Sequence, residues 1–583
     1  MRKKVSALFL AALCVFSTAA TACGRGSNGP DWGDDNIYNV EDPKKTKIVV
    51  TNLDGGIGTI WLDEAAERFA ELKKDEHYED GKTGIYIEIE RTSNIKLDMA
   101  GSGTSHMYFD ERKWDISTLA QSGQLLDVTD IVTDATREGG SIESTIYPEK
   151  LDSLKGFDGK YYSLPHYEFF GGVSYDVDVF DECGAYFAAD EETSVVTYSS
   201  KYGTARFIGS ANAQRSKGPD GKANTEDDGM PCSVEQFIQL LAYFRERTSY
   251  APIVLSGKYL NYSNYFLTGI WAALAGAEQM ENYYNGTGKI EVVTGYTTEN
   301  LFPGIDYIKK PIVEEIDMAA DGSEGYRGQE MAAKYYAIAL LEIINKEFFS
   351  PDAFTDTITH LDAQRALIFN PTDTKYTKTA MLMEASYWHN EAKVSGSFDT
   401  YKLMTGDSEE RNIRFMRLPS CAYTADLEET TNTLLDIGQG VAVISSKVAG
   451  DAALTRACKE FMAFLYTTEE LKAFTACTGM SRPLNYGVTQ DELQNVAAFY
   501  SDLWNYSHET GKVVYYSGTT ETHKKAKSYL KLCLNLPFTP QIGTTLYNNF
   551  VPAFRAGGDT KALFISTHYD ADTWATIIDE DED

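Results

Sequence analysis

The pattern that most restricts the fold is an alternation of short apolar runs with amphipathic stretches. Residues 47–52 (KIVVTN) form an apolar run typical of a buried strand, and a glycine-rich turn at 54–58 follows it. The next stretch predicts a helix that carries Trp61 and Phe69 on its apolar side. This order of elements is the beginning of an α/β unit.

Further strands are predicted at 85–89 and at 115–119 (DISTL), and a late strand at 440–444 precedes a predicted helix at 450–465. Strands that alternate with helices pair in parallel, and ligands bind beyond the carboxyl ends of such strands. The sequence therefore predicts an α/β protein with parallel sheets.

Size and charge set further limits. The chain has 583 residues, with 86 Asp and Glu against 53 Lys and Arg, and a net charge of −33. One hydrophobic core stops growing at about 250–300 residues, so we expect at least two domains. The negative field repels nucleic acids and anionic membrane surfaces and excludes both as partners.

The N-terminus predicts export. Arg2, Lys3 and Lys4 precede an apolar stretch at 5–22 that is too short for a membrane span and is typical of a signal peptide. Residues 20–23 (ATAC) resemble a bacterial lipobox, which predicts a lipid on Cys23 and a flexible tether over 23–45. We expect the mature protein on the outer face of the cell membrane, most simply of a Gram-positive bacterium. The alternative is ordinary secretion with Cys23 incidental.

The remaining cysteines are too few and too scattered for a disulfide framework, and no CxxC pair suggests zinc or redox chemistry. Buried free thiols are favoured over bridges. The six are Cys183, Cys232, Cys421, Cys458, Cys477 and Cys533.

Four segments carry a family resemblance. They are the first strand, turn and helix at 47–69, the stretch GKYYSLPHYEFFGGVSYDVDVF at 159–180, AMLMEASYWHNEA at 380–392, and 441–483 with its ending TGMSRP. In this order they resemble the family 1 extracellular solute-binding proteins, the sugar-binding lipoproteins of ABC importers. The part from 485 onward resembles the family only weakly.

The resemblance implies a two-lobed periplasmic-binding-protein-like fold of type II, with a ligand cleft between the lobes. The first lobe would comprise residues 46–165 and 418–468, and the second 166–417 and 469–560. An acidic C-terminal segment at 561–583 would follow. The resemblance further implies a monomer that delivers its ligand to a transmembrane permease.

A sugar in such a cleft needs aromatic rings for its apolar faces and polar side chains for its hydroxyls. Trp388 is the leading candidate because it follows a predicted strand and lies near Glu384, His389 and Asn390. The alternative reading of Trp388 is a core residue.

A second candidate group is YLNYSNY at 259–265, from which Tyr262, Asn264 and Tyr265 resemble the family's aromatic helix start. The alternative interpretation is that these tyrosines pack under the helix.

Two further groups lie where the implied cleft would be. His166, Tyr167 and Glu168 follow Pro165 at the first crossing between lobes, although a lone histidine is more often structural. Asp54, Gly55 and Gly56 lie at the end of the first strand, so their backbone amides could meet sugar hydroxyls.

An acidic loop at 218–231 (GPDGKANTEDDGMP) predicts a structural calcium site. Oxygen ligands spaced around a glycine suit Ca²⁺, and the loop partly resembles the calcium loop of alginate-binding relatives. A solvated acidic turn is the alternative. The candidate ligands are Asp220, Asn224, Glu226, Asp227 and Asp228.

The sequence thus predicts a lipid-anchored receptor for a carbohydrate, expected to be a neutral oligosaccharide, with no required cofactor and an ABC permease as its partner. A secreted glycoside-active enzyme is one alternative. The pairs of carboxylates that such an enzyme needs occur by chance among 86 acidic residues, so they do not discriminate. A surface glycan-binding protein without transport function is the other.

Overall fold

The computed structural model describes residues 38–579, except 93, 101–102, 112–113, 210–213, 370–375, 427–432, 439, 495, 510 and 516–538. The predicted signal peptide, Cys23 and Cys533 lie outside the described residues, as does most of the predicted tether.

The strands are β1 (Thr46–Leu53), β2 (Ile85–Thr92), β3 (Met107–Asp110), β4 (Ser163–Pro165), β5 (Gly171–Asp176), β6 (Tyr186–Phe187), β7 (Val196–Ser200), β8 (Gly203–Ile208), β9 (Ala251–Val254), β10 (Gly288–Asn300), β11 (Lys309–Met318), β12 (Thr379–Ala385), β13 (Ile413–Met416), β14 (Thr433–Asp436), β15 (Val441–Ile444), β16 (Lys512–Tyr515), β17 (Gln541–Ile542) and β18 (Thr545–Leu546).

The α-helices are α1 (Ile60–Leu72), α2 (Ile95–Ala100), α3 (Ile116–Gln121), α4 (Thr129–Val132), α5 (Ile142–Thr145), α6 (Pro148–Leu151), α7 (Val177–Cys183), α8 (Val234–Arg247), α9 (Tyr262–Asn285), α10 (Ala332–Ile343), α11 (His360–Ile368), α12 (Trp388–Val394), α13 (Ser397–Thr405), α14 (Ala452–Phe464), α15 (Thr468–Thr478), α16 (Gln490–Leu493), α17 (Ala498–Trp504), α18 (Phe550–Arg555), α19 (Thr560–Ile565) and α20 (Ala571–Asp579).

The first sheet has the strand order β2-β1-β3-β15-β4. Strand β1 pairs in parallel with β2 and β3, whereas β15 runs antiparallel to β3 and β4. Helix α1 packs against this sheet and buries Trp61 and Phe69, as its apolar stripe predicts. We call the elements around this sheet the first lobe.

The predicted strand at 115–119 is wrong. The third strand is β3, which ends five residues before Asp115, and residues 116–121 form helix α3. The Asp115 carboxylate accepts a hydrogen bond from the Thr118 N–H (3.0 Å) and so caps the helix. A short apolar run with an N-capping residue was thus mistaken for a strand.

The second sheet has the order β13-β5-β12-β9, and the elements around it form the second lobe. Strand β12 pairs in parallel with β9, but β5 runs antiparallel to both β12 and β13. The expectation of purely parallel sheets therefore fails for both lobes, because β15 runs antiparallel in the first sheet and β5 runs antiparallel in the second. The fold class is α/β, as predicted.

The C-terminal part packs against the second lobe. The Lys334 ammonium of α10 donates to Thr567 Oγ1 (2.7 Å), and the indole N–H of the buried Trp574 donates to the Gly322 carbonyl (2.9 Å). Two helices, α19 and α20, thus lie within the predicted acidic segment. The predicted lobe boundaries themselves stay a prediction.

Five cysteines in the described part of the chain are free thiols, as predicted: Cys183, Cys232, Cys421, Cys458 and Cys477. Among the described helices, none combines the length and apolar content that a membrane crossing requires.

Candidate functional site

The turn after β1 brings a carboxylate from β3 to its glycines. The Ile57 N–H donates to Glu111 Oε1 (3.2 Å). A Cβ atom on Gly56 would lie about 2.0 Å from the Glu111 carboxylate, and the φ of Gly56 is +53°. Glycine is therefore required at position 56 so that Glu111 can approach the backbone. Asp54 and Gly55 are exposed at the rim of this turn.

The second lobe contributes a group of tyrosines. Tyr262 and Tyr265 lie in the first turn of α9 with ring centroids 5.7 Å apart, and Tyr387 follows β12. The Phe169 ring contacts both Tyr265 (5.9 Å) and Tyr387 (5.2 Å) edge to face. All three tyrosines are half-buried. Tyr387 is hydrogen-bonded to both Tyr262 and Tyr265, so the three tyrosines form a connected wall.

Two carboxylates of the second lobe share one amide. Gln364 Nε2 donates to Glu384 Oε1 (3.3 Å) and to Glu391 Oε2 (2.7 Å). Burial, and then the charge of Glu391, raises the pKa of Glu384 well above its usual range. The His360 Nε2 atom lies 3.5 Å from Glu391 Oε1.

The lobes meet at these groups. Asn390 Nδ2 donates to the Ile57 carbonyl (2.8 Å), and the side chain of Val394 lies against Gly58. Burial raises the pKa of Glu111 to about 7, and the charge of Glu391 across the lobes adds to the increase. Glu111, which binds the Ile57 N–H, and Glu391, which follows Asn390, therefore lie on the two sides of the contact between the lobes.

Tyr167 completes the arrangement from the first crossing. Its side chain is 3% exposed, and burial and then the charge of Glu111 raise the pKa of its hydroxyl well above the usual value. We call these groups the inter-lobe site, and its members are Glu111, Tyr167, Tyr262, Tyr265, Glu384, Tyr387 and Glu391, with the turn at 54–56.

Seven of the eleven predicted ligand residues belong to the inter-lobe site: Tyr167, Tyr262, Tyr265, Glu384 and, in the turn, Asp54, Gly55 and Gly56. The other four are Trp388, Asn264, His166 and Glu168, and they lie elsewhere. Glu111, Gln364, Tyr387 and Glu391 were not predicted. The available signal for Glu111 was its position directly after a strand, which the misplaced third strand concealed.

Trp388 lies in the core of the second lobe. It is 0% exposed, and its indole N–H donates to Ser174 Oγ of β5 (2.7 Å). Trp388 is the first residue of α12, so its ring turns back beneath the sheet. In this conformation neither face of the ring is open to a ligand, as the alternative reading of Trp388 describes.

His389 and Asn264 also make other contacts than predicted. The buried His389 ring stacks on Phe499 at 4.5 Å, and its Nδ1 atom is hydrogen-bonded to the Tyr500 hydroxyl (2.9 Å). Asn264 Nδ2 donates to the Asn548 carbonyl (3.3 Å), toward the C-terminal part.

His166 is enclosed by aromatic rings at the first crossing. Its ring lies 5.4 Å from Trp61 and 5.3 Å from Phe109, with no exposed surface. Burial, and then the nearby Arg482 charge, lowers the pKa of His166 well below its usual value. It is a neutral imidazole inside the protein that packs against the Tyr167 ring (5.0 Å) and has no surface open to a ligand.

Glu168 belongs to a second buried acidic group, where three connections between the lobes meet. It lies in the connection from β4 to β5, Asp436 in the connection to β15, and Ser481 after α15. Ser481 donates its hydroxyl to Glu168, and the Lys150 ammonium of α6 pairs with Asp436 at 2.6 Å. We call Lys150, Glu168, Asp436 and Ser481 the crossing cluster.

Charges in the crossing cluster are closely coupled. Burial, and then the charge of Asp436, raises the pKa of Glu168. Asp436 accepts hydrogen bonds from the Phe169 N–H (3.1 Å) and the Gly438 N–H (2.8 Å), so its carboxylate is well satisfied. The cluster therefore fixes the three connections relative to one another.

The acidic loop at 218–231 contains a cation that the sequence analysis missed. Arg417 Nε lies 3.2 Å from the buried Asp227 carboxylate, and Arg417 Nη2 lies 3.8 Å from Glu226. Asp227 also accepts from the Asp220 N–H (3.0 Å), and Asp228 accepts from the Asn224 N–H (2.8 Å). Charge repulsion within the loop is thus relieved by a side chain.

Within the described residues, no group of three or more His, Cys, Asp or Glu side chains is arranged to hold a metal ion. The calcium site stays a prediction.

Comparison with known proteins gives structural relatives only. No family model and no curated protein matches the sequence. A chitin oligosaccharide binding protein is similar in structure, with a TM-score of 0.51 and 14% identity over 91% of this chain and 99% of that one.

Two further solved structures are similar. A protein from a study of xylan utilization by the thermophilic bacterium Caldanaerobius polysaccharolyticus has a TM-score of 0.50 and 11% identity, over 90% of this chain and 99% of that one. The solute-binding protein RafE in complex with raffinose has a TM-score of 0.48 and 10% identity, over 92% of this chain and all (100%) of that one. The chain therefore has the two-lobed α/β fold of the extracellular solute-binding proteins.

Proposed function

We propose that this protein is a family 1 extracellular solute-binding protein that binds a carbohydrate between its lobes and delivers it to an ABC permease. The observation that carries the proposal is the inter-lobe site, where tyrosines and carboxylates from both lobes meet at a glycine turn. Rings suit the apolar faces of a sugar, and carboxylates and phenols suit its hydroxyls. The similarity in fold to a chitin oligosaccharide binding protein supports the same class of ligand.

Closure would couple capture to delivery. A ligand that contacts Glu111 on the first lobe and Tyr262 on the second stabilises only the conformation in which both are near. Asn390 already joins the lobes through the Ile57 carbonyl in this conformation. A permease could then distinguish the loaded receptor from the empty one by its shape.

Binding is tested by calorimetric titration against a panel of oligosaccharides, with tryptophan fluorescence as a second signal. Tyr262→Ala should weaken the best ligand about 10- to 100-fold, because it removes one ring of the wall. The matched control is Tyr86→Ala, on β2 of the first lobe outside the site. An unchanged affinity in Tyr262→Ala, with intact fold, contradicts the site.

The same panel separates a receptor from an enzyme. Glu384 and Glu391 share the Gln364 amide, so a hydrolytic pair of carboxylates is the specific alternative. Chromatography of each oligosaccharide after prolonged incubation should show no turnover. If the wild type forms products and Glu384→Gln does not, the protein is an enzyme instead.

We further propose that Cys23 carries the lipid and holds the protein at the outer face of the membrane. Cys23→Ser should move the protein from the membrane fraction to the medium. Retention of Cys23→Ser in the membrane at the wild-type level contradicts this anchor.

A further inference from the structure

Among the described residues, the inter-lobe site contains carboxylates without a matching cation. Glu111 and Glu384 make no ion pair with any residue in the described part of the chain, and the nearest base to Glu391 is His360 at 3.5 Å. Two other buried carboxylates of the molecule do pair with a cation. Asp436 pairs with Lys150, and Asp227 pairs with Arg417.

A buried acceptor of the site lacks a donor. Gln364 is 0% exposed, and no group among the described residues donates to its Oε1 atom, although its Nε2 atom donates to both second-lobe carboxylates. An unpaired buried polar atom is costly, so this acceptor points to a ligand that supplies donors.

Closure of the lobes increases the electrostatic cost. Glu111 belongs to the first lobe and Glu391 to the second, so their carboxylates approach one another only when the lobes are together. Like charges oppose this approach, and a cation between them favours it. A ligand that carries positive charge therefore stabilises the closed state more than a neutral ligand of the same shape.

Donor geometry also favours a particular cation. An ammonium group offers three N–H donors and no acceptor, whereas a hydroxyl offers only one donor. Hydrogen bonds between an ammonium and a carboxylate are about twice as strong as those between neutral groups. The tyrosine wall beside the carboxylates suits the apolar face of the sugar ring that would bear the amine.

We propose that the inter-lobe site selects a saccharide carrying a protonated primary amine, with its ammonium between Glu111 and Glu391. This inference rests on the proposed carbohydrate function and replaces the expectation of a neutral oligosaccharide. The net charge of −33 also attracts a cationic ligand from solution.

The test is calorimetric titration with pairs of oligosaccharides that differ only in N-acetylation. Oligomers of glucosamine with free amines are compared with their fully N-acetylated counterparts of equal length, at a pH where the amine is protonated. The free-amine oligomer should bind about 10- to 100-fold more tightly, and this preference should shrink as salt is added.

Substitutions test which residues cause the preference for the free-amine oligomer. Glu111→Gln and Glu391→Gln keep the side-chain shape and should each reduce the preference for the amine about tenfold, measured as the ratio of the two affinities within the same variant. Glu315→Gln is the matched control, since that glutamate pairs with Lys289 on the exposed β10–β11 hairpin. Cooperative melting transitions establish that the variants are folded.

The outcomes separate the two proposals. Equal or tighter binding of N-acetylated or uncharged oligosaccharides overturns the amine inference and leaves the carbohydrate function standing. Equal binding of an alkyl diamine overturns the saccharide part. Failure to bind any member of the oligosaccharide panel overturns both proposals. If Glu111→Gln and Glu391→Gln keep the full preference for the amine, the assignment of the ammonium to these two residues is wrong.

Discussion

The crossing cluster and the inter-lobe site both gather carboxylates, but within the part of the chain that the structure describes only the crossing cluster supplies its own cation. Lys150, with 4% of its surface exposed, pairs with Asp436 at 2.6 Å beside Glu168. Glu111 and Glu384 have no ion-pairing partner in the described part of the chain. The difference follows the position of each group relative to the lobes.

Groups at the connections keep the same neighbours whether the lobes are apart or together, so their charge must be balanced within the chain. The inter-lobe site forms only when the lobes meet, and there an unbalanced charge can be completed by a ligand. The acidic loop at 218–231 resembles the crossing cluster in this respect, since Arg417 balances it.

The largest effect is expected from removing the cation of the crossing cluster. Lys150→Met leaves Asp436 and Glu168 buried without a positive charge, which should lower the free energy of unfolding by about 3–5 kcal/mol. Chemical denaturation measures the loss.

The matched control for that variant is Lys160→Met, because the Lys160–Asp127 pair (3.0 Å) is largely exposed and should contribute at most about 1 kcal/mol. Equal losses in the two lysine variants would show that the crossing cluster does not depend on its cation.

A substitution of Trp388 tests whether its side chain belongs to the core of the second lobe or to the ligand site. Trp388→Ala should lower the free energy of unfolding by about 3 kcal/mol, because it empties a buried volume and leaves Ser174 Oγ without its donor. Ligand affinity of the folded variant should stay within a few-fold of the wild type. A large loss of ligand affinity with little loss of stability would show instead that Trp388 contacts the ligand, as the sequence predicts.

Much of the framework could be predicted from the sequence, because it depends on local patterns. The alternating apolar runs identified β1, β2, α1 and α14, and the order of motifs identified the two-lobed fold. Tyr262 and Tyr265 could be predicted because a polar, aromatic helix start is a local feature.

The rest depends on packing between distant segments. The direction of the Trp388 indole is set by Ser174, and the neutralisation of Asp227 is set by Arg417, in each case about 200 positions away in the chain. Glu111 was missed because the strand before it was placed at 115–119. No local pattern shows which carboxylates face one another across two lobes.

Glu111 should also give the ligand-free protein a characteristic pH dependence. Its pKa is about 7 in the folded protein, mainly through burial, and near the ordinary carboxyl value when unfolded. Between these two pH values the folded state retains a proton that the unfolded state has lost. Stability should therefore fall as the pH rises from about 4.5 to about 7 and then level off.

Glu111→Gln removes this group and should flatten that part of the curve. The difference in the free energy of unfolding between variant and wild type should shift by about 3 kcal/mol in favour of the variant from pH 4.5 to pH 8, because one pKa unit corresponds to about 1.4 kcal/mol. Denaturation across the pH range, without ligand, provides the measurement. Parallel curves for the wild type and Glu111→Gln would mean that the carboxyl is not buried against Glu391. The residues of the crossing cluster are unchanged in this variant, so their contribution to the pH dependence should be the same in both proteins.

The smallest effect is expected at Asn390, which joins the lobes without carrying charge. Its amide donates to the Ile57 carbonyl (2.8 Å), and this bond exists only while the lobes are together. Asn390→Ala should shift the equilibrium toward the open form by about 1 kcal/mol, roughly fivefold, and weaken all ligands by a similar factor. Small-angle scattering of the ligand-free protein, with titration of an amine-bearing oligosaccharide and its N-acetylated counterpart, measures both. A loss confined to one of these two ligands would instead mean that Asn390 contacts the sugar directly, as the sequence predicts, and that closure depends on the charged groups alone.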